Sequence, residues 1–242
     1  SRPSTSPLPE VVANLDYLDI AVGLELWREW GLSELFDGLL PPAGADVAPS
    51  AILASLVLHR LVDPGSKLAA TEWFGRTALP ELLGVTPSQF NNTRLHRVLE
   101  LLDGVNRDLQ AKLPRRYQEK EGTFVSLFLD VTDAVFVGEG PSFARRGRTK
   151  EGAFARKIGI VLLCNERGYP LRWEVVPGTA ADSKTMLAMI ESIAGLSWVG
   201  TAPVVCDRAM GATATIASMS RLGLRFLTAL TTSEFANYAG ER

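Results

Sequence analysis

The stretches FVSLFLDVTDAVFV (residues 124–137) and APVVCDRAMG (residues 202–211) decide the fold. Each is an apolar run that passes through or ends in an aspartate, Asp130 in the first and Asp207 in the second. Phe124 to Leu129 is apolar on both faces apart from Ser126, as a central strand is when both faces are covered. Val131 to Val137 continues it with β-prone residues. Downstream, GEGPSFARRGRTKEG (138–152) reads as a loop, KIGIVLLC (157–164) as a second strand and NERG (165–168) as a turn. YPLRWEVV (169–176) alternates, with Leu171, Trp173 and Val175 on one side and Arg172 and Glu174 on the other, and Pro170 suits a sheet edge. Asp182 or Ser183 caps a helix to Ala194. APVVCD follows as the fourth strand. Thr213 to Leu222 forms a helix closed by Gly223, and LRFLTAL (224–230) is the fifth strand.

The order β-β-β-α-β-α-β predicts a mixed five-stranded sheet with flanking helices, the order of the ribonuclease H-like α/β fold. In that fold the first and fourth strands are neighbours at the sheet centre, so Asp130 and Asp207 face each other at one end. Two carboxylates side by side repel unless a cation lies between them. Mg²⁺ suits such a pair, because it takes oxygen ligands and keeps waters that a phosphate can replace. Two such ions about 3.5–4 Å apart activate a water or 3′-hydroxyl and stabilise the leaving oxygen. Asp133, three residues on, points to the opposite face of an extended strand. Read singly, Asp130 is equally a strand-end turn residue and Asp207 a helix cap.

Upstream of this core the period is helical. Leu18, Val22, Leu26 and Trp30 recur every four residues, and Gly31 can end that helix. Ser33 can cap a short helix to Leu40. Pro49 opens a helix whose Ile52, Leu53, Leu56, Val57 and Leu61 share a face. Ser66 caps KLAATEWF, Thr93 to Leu102 is a further helix, and Val105 to Tyr117 is one expected to kink or break at Pro114. The expected organisation is a disordered leader over 1–14, an all-helical subdomain over 15–120, for which the family resemblance given below implies DNA handling or assembly, and the ribonuclease H-like core over 121–242.

With 46% hydrophobic and 21% charged residues the chain has the composition of an ordinary globular protein. No apolar run reaches the roughly 18 residues of a membrane span, and the polar start SRPSTSPLPE is no signal peptide. Cys164 and Cys206 read as small buried apolar residues in a reducing compartment. His59 and His96 lie in helical stretches, so neither a zinc site nor a Ser/His triad is indicated. The glycines at 138, 140 and 147 do not precede a helix and make no phosphate loop, and no small-molecule cofactor is expected. The tryptophans read as core or interface residues.

A net charge of −2 excludes a bulk polyanion binder, so any DNA contact rests on local patches. Arg145, Arg146, Arg148, Lys150, Arg156 and Lys157 form one, opposed only by Glu151. Beside a phosphodiester site this is a phosphate-contacting segment; elsewhere it is a solvated loop. Arg208, directly after Asp207, is suited equally to a phosphate or to a carboxylate partner. Lys112, Arg115, Arg116 and Lys120 read as a solvated helix end.

Several of these stretches resemble one family. LVLHRLVDPGSKLAATEWF (56–74), Asp130-Val131-Thr132, RRGRTKEG (145–152), GIVLLCNERGYPLRWEVVPGTAADSKTM (159–186) and VVCDRAM (204–210) are similar to bacterial transposases of the insertion-sequence-4 superfamily, in particular its insertion-sequence-1634-like branch. AFARK (153–157) departs from the pattern, standing where a Pro-Asp-containing piece is common. The resemblance implies a DDE transposase that uses Mg²⁺ or Mn²⁺, cuts DNA at the ends of an insertion sequence and joins the 3′-hydroxyl to target DNA. It implies that Asp130 bridges both ions and Asp207 holds one. It also implies a homodimer in the transposition complex, working in the bacterial cytoplasm at the nucleoid. The family's third acid is a glutamate on a later helix, within a Tyr-Arg-Glu-Lys type signature after a β-rich insert. Neither Glu234 nor Glu241 stands in that context, so the core is expected to be incomplete at its C-terminal end and inactive alone. Two alternatives stay open: a non-catalytic truncated transposase that binds DNA or the full-length enzyme as a regulator, and a ribonuclease H-like nuclease with another third ligand.

Overall fold

A computed structural model of the protein describes residues 14–40, 46–138, 140–149, 152–180 and 182–238. The leader expected at 1–14 lies outside these residues except for Asn14, as do Lys150 and Glu151. The fold divides into two compact units, Ser1–Leu109 and Gln110–Arg242.

The first unit contains α1 (Leu18–Glu29), α2 (Leu32–Asp37), α3 (Pro49–Val62), α4 (Lys67–Phe74), α5 (Leu79–Leu83) and α6 (Asn92–Gly104). Their starts are set locally. Pro49 occupies the first turn of α3, where its missing N–H costs nothing. Ser66 Oγ accepts from Ala69 N, and Asn91 Oδ1 accepts from Arg94 N. Ser33, expected as a cap, instead accepts a bond from Trp27 Nε1 at 2.9 Å, and Gly31 (φ 55°) makes the α1–α2 turn in the left-handed region. The core joins Ile20, Leu24 and Trp27 of α1 to Ile52, Leu53 and Leu58 of α3 and to the stacked pair Phe74–Phe90, 4.3 Å apart. The period-four stripe Leu18, Val22, Leu26 therefore marks the helix but is its exposed side. Gly23 lets α1 sit directly on Leu58, because a Cβ there would run into that side chain.

His59 is buried in this core, its ring 5.0 Å from that of Trp73. Burial lowers its pKa below the ordinary 6.5, against the smaller upward pull of Asp63. The unfolded chain thus binds the proton more tightly than the folded one. The stabilisation from a neutral His59 is present above about pH 6.5 and is lost as pH falls. Thermal melts followed by tryptophan fluorescence are expected to shift downward from about pH 7.5 to about pH 5, with the shift reduced in His59→Leu.

Helix α7 (Asn106–Glu121) crosses the boundary between the units and continues through Pro114. The proline removes one donor from the ladder, and the rest of the helix is retained. From Gln110 onward α7 is tied to the sheet. Gln110 Oε1 accepts from Trp173 N at 3.2 Å, Tyr117 packs on Tyr169 at 4.5 Å, and Gln118 Nε2 donates to the Trp198 carbonyl at 3.0 Å. These contacts place the boundary ahead of the residue 120 expected from the sequence.

The second unit is built on a six-stranded sheet: β1 (Leu127–Phe136), β2 (Arg145–Arg148), β3 (Phe154–Asn165), β4 (Pro170–Pro177), β5 (Val204–Cys206) and β6 (Phe226–Leu227). β3 runs antiparallel to β1 and to β4, and β5 is parallel to β1 and β6. Read across, β4-β3-β1-β5-β6 is the strand order of the ribonuclease H-like fold, as expected. Two details differ. The segment read as a loop contains β2, which forms a hairpin with the first part of β3, and the fifth strand is only two residues long. Alternation along RRGR was hidden because both faces of that hairpin carry charge.

One sheet face carries the core. Leu127, Leu129 and Val131 of β1, Val161 and Leu163 of β3, and Val204 and Cys206 of β5 point to it. Met186, Met189, Ile190 and Ile193 of α8 (Asp182–Ile193) cover it. The remaining helices are α9 (Thr213–Arg221) and α10 (Thr232–Tyr238). Among the described residues no helix is long and apolar enough to cross a membrane.

Candidate functional site

The alternation that buries Leu127, Leu129 and Val131 puts Phe128, Asp130 and Thr132 on the opposite face. β1 and β5 pair in parallel as Leu127↔Val204, Phe128↔Val205 and Leu129↔Cys206. The next step of that register brings Asp130 beside Asp207. Neighbouring strands lie about 4.8 Å apart, and residues level across a pair share a face. Both aspartates are exposed. Hydrophobic burial of the odd positions of β1 turns Asp130 to the open face at the level where the β1–β5 pairing ends, and Asp207 directly follows β5.

Asp207 is held in place. Its Oδ1 accepts from Ala209 N at 2.8 Å, capping a 3-10 turn at Arg208–Met210, and its carbonyl accepts from Thr228 Oγ1 at 2.7 Å. Gly211 closes the turn against the chain after β6, and a Cβ there would strike the Ala229 carbonyl oxygen. Oδ2 makes no hydrogen bond among the described residues. Cys206, one residue earlier, is a thiol pushed up to about 11 by burial first and the Asp207 charge second. Burial also raises the Cys164 thiol. A raised thiol pKa makes both cysteines poor nucleophiles at neutral pH.

The exposed Asp130 carboxylate and Asp207 Oδ2 are oxygen donors of the kind a hard cation takes one or two at a time while keeping its waters. Among the described residues no three His, Cys, Asp or Glu side chains come together as a metal group. Glu234, in the first turn of α10, accepts from Thr213 N at 3.4 Å at the start of α9. Glu241 lies outside the described residues.

The cations separate by strand register. β2 pairs with β3 as Arg145↔Lys157, Arg146↔Arg156, Gly147↔Ala155 and Arg148↔Phe154, and β3 continues onto β1 without a slip. Arg146, Arg148 and Arg156 therefore share the face of Asp130. Arg145 and Lys157 belong to the other face, as does Asp133, in agreement with the alternation read from the sequence. Lys157 Nζ donates to both Asp133 oxygens, at 2.9 and 3.0 Å, and the two side chains are only 13% and 10% exposed. Arg145 is exposed, and its Nη1 donates to the Ser142 carbonyl at 2.5 Å. Arg208 is exposed directly beside Asp207. Thr228, which holds the Asp207 carbonyl, was not singled out in the sequence.

The sequence matches no protein-family model and no curated protein. Among solved structures the chain is similar to the Mos1 transposase paired-end complex with left transposon end, at 15% identity over 91% of this chain and 69% of that one, with a TM-score of 0.31. It is similar also to the Mos1 strand transfer complex, at 14% identity over 89% and 71%, with a TM-score of 0.32. A third is the Mos1 mariner paired end complex with Mn, at 13% identity over 89% and 72%, with a TM-score of 0.31. Superpositions this loose leave the ribonuclease H-like fold resting on the strand order and registers themselves.

Proposed function

We propose that this chain is a DNA transposase of the DDE type, with Asp130 and Asp207 as two of its metal-holding acids. The observation that supports the reading is the parallel β1–β5 pairing, whose last pair, Leu129↔Cys206, directly precedes both aspartates. The resemblance of the stretches around both aspartates to insertion-sequence transposases supports the same assignment. Mg²⁺ or Mn²⁺ bound there would supply an activated water or 3′-hydroxyl and stabilise the leaving oxygen of a phosphodiester. The chain's own part is positional. The Ala209 amide and the Thr228 hydroxyl fix Asp207, and the β1 ladder fixes Asp130. Arg208 and the arginines of the β2–β3 hairpin hold phosphates of the DNA strand. The proposed partners are insertion-sequence ends, target DNA and a second transposase copy, in the bacterial cytoplasm at the nucleoid.

Titration of the chain with Mn²⁺ by calorimetry is expected to reveal binding that is abolished in Asp130→Ala. Equal binding by wild type and variant would remove the assignment. The second reading is a truncated transposase that binds DNA or the full-length enzyme as a regulator without chemistry. Metal-dependent nicking of supercoiled plasmid, lost in Asp130→Ala, would exclude it. DNA binding without nicking would select it.

A further inference from the structure

The first unit turns large apolar side chains to solvent along neighbouring helices. Leu18, Val22 and Leu26 of α1, Val57 and Leu61 of α3 and Leu68 of α4 are between 43% and 76% exposed. From Ala69 to Leu109, by contrast, no large apolar side chain is exposed. Single exposed leucines need no explanation, but these are not scattered. Gly23 of α1 packs directly on Leu58 of α3. Leu26 lies three residues beyond Gly23 and Leu61 three beyond Leu58, so each stands within one turn of that contact. From there the exposed residues run back in steps of four, through Val22 and Leu18 on α1 and to Val57 on α3. Leu68 follows in the first turn of α4. At about 100 Å² of apolar surface from each side chain, the patch reaches about 600 Å², the upper end of what a monomer shows. Across two copies this is about 1,200 Å², the lower bound of a stable specific interface.

Charge says which partner fits. Helix α1 is acidic, with Asp19, Glu25 and Glu29 against Arg28, and the stretch 57–68 is basic, with Arg60 and Lys67 against Asp63. A basic partner would suit α1 alone and an acidic partner α3 alone. A second copy turned by a two-fold axis suits both, because α1 of each copy then meets α3 of the other. We propose that Leu18, Val22, Leu26, Val57 and Leu61 form the face on which two copies of this chain pair. The proposal rests on the transposase reading only for the use of the second copy; neither metal nor DNA takes part in the contact.

The test is sedimentation equilibrium of the full chain without metal or DNA. From about 1 to 100 µM it is expected to show a monomer–dimer equilibrium with a Kd of about 10 µM. Leu26→Glu and Leu61→Glu are each expected to raise that Kd about 100-fold, because a two-fold interface carries every substitution twice. Both side chains are exposed, so the melting temperature of the dilute, monomeric variants should stay within about 2 °C of the native chain. Phe235→Glu, at an exposed apolar position of the second unit, should leave the Kd unchanged. A chain that is monomeric at about 100 µM overturns the proposal. If Leu26→Glu then also lowers the melting temperature, the chain's own residues 1–13, which lie outside the described ones, cover the patch instead. A dimer that survives both substitutions overturns the proposal as well, since the copies then pair on another surface. None of these outcomes alters the Mn²⁺ and nicking tests of the transposase reading, and failure of those tests leaves the dimer in place.

Discussion

Asp207→Asn is expected to lower Mn²⁺ affinity by more than about 100-fold while leaving the melting temperature close to that of the native chain. Loss of an outer-shell partner alone costs a metal site about 10- to 100-fold, so loss of a charged ligand should exceed that range. The stability half follows from the second use of the same side chain. Asp207 Oδ1 caps the 3-10 turn through Ala209 N, and asparagine caps as well as aspartate. Asp207→Ala loses both functions and should cost about 1 kcal/mol of stability in addition. The two variants therefore separate the readings of this residue. A plain cap predicts that Asp207→Asn is silent in every measurement. A metal ligand predicts that asparagine and alanine are equally poor in Mn²⁺ calorimetry and differ only in thermal melts. If Asp207→Asn binds Mn²⁺ as wild type does, Asp207 is a cap and nothing more.

The direction of both aspartates was legible in the chain; the cap and its neighbours were not. Strand existence and order followed from long apolar runs, whose burial leaves little freedom. Val204 and Cys206 can face the core in only one way, and that choice fixes the side of Asp207. The same logic worked for β1, where Leu127, Leu129 and Val131 decide the direction of Asp130. It failed where charge hides the alternation. Arg145 to Arg148 looks like a loop because no apolar residue marks its inward face, and its pairing with Phe154–Lys157 is supplied by the hairpin register. It failed again on α1, where both faces carry apolar residues. The stripe Leu18, Val22, Leu26 is the more regular one, yet Ile20, Leu24 and Trp27 are buried. Period identifies a helix, but only packing partners say which of two apolar faces turns inward. Thr228 was invisible for a different reason. Its hydrogen bond to Asp207 joins residues at the ends of two strands, a contact no local pattern encodes.

The cations between 145 and 157 suit either a phosphate-contacting segment or a solvated loop in the sequence, and the register divides them between the two sheet faces. Lys157 is the one whose replacement should matter most to stability. Its ammonium and the Asp133 carboxylate are almost entirely out of water, and each satisfies the other. Removing one member of such a pair leaves a buried charge unmatched, at a cost of about 3 kcal/mol. Lys157→Met is therefore expected to lower the melting temperature by about 10 °C, taking the second unit as intermediate in size. Asp133→Asn combined with Lys157→Met removes both charges and should recover a large part of that loss, because the penalty belongs to the unpaired charge. Binding of duplex DNA should keep its salt slope in the double variant, since Lys157 neutralises Asp133 and not a phosphate. Arg146→Met should behave in the opposite way. It leaves stability within about 0.5 kcal/mol, as an exposed substitution does, and lowers the DNA salt slope by about one. Reversal of the two results, with Lys157→Met thermally silent and poor in DNA binding, would mean that the Asp133–Lys157 pair does not form and that Lys157 turns outward to the strand.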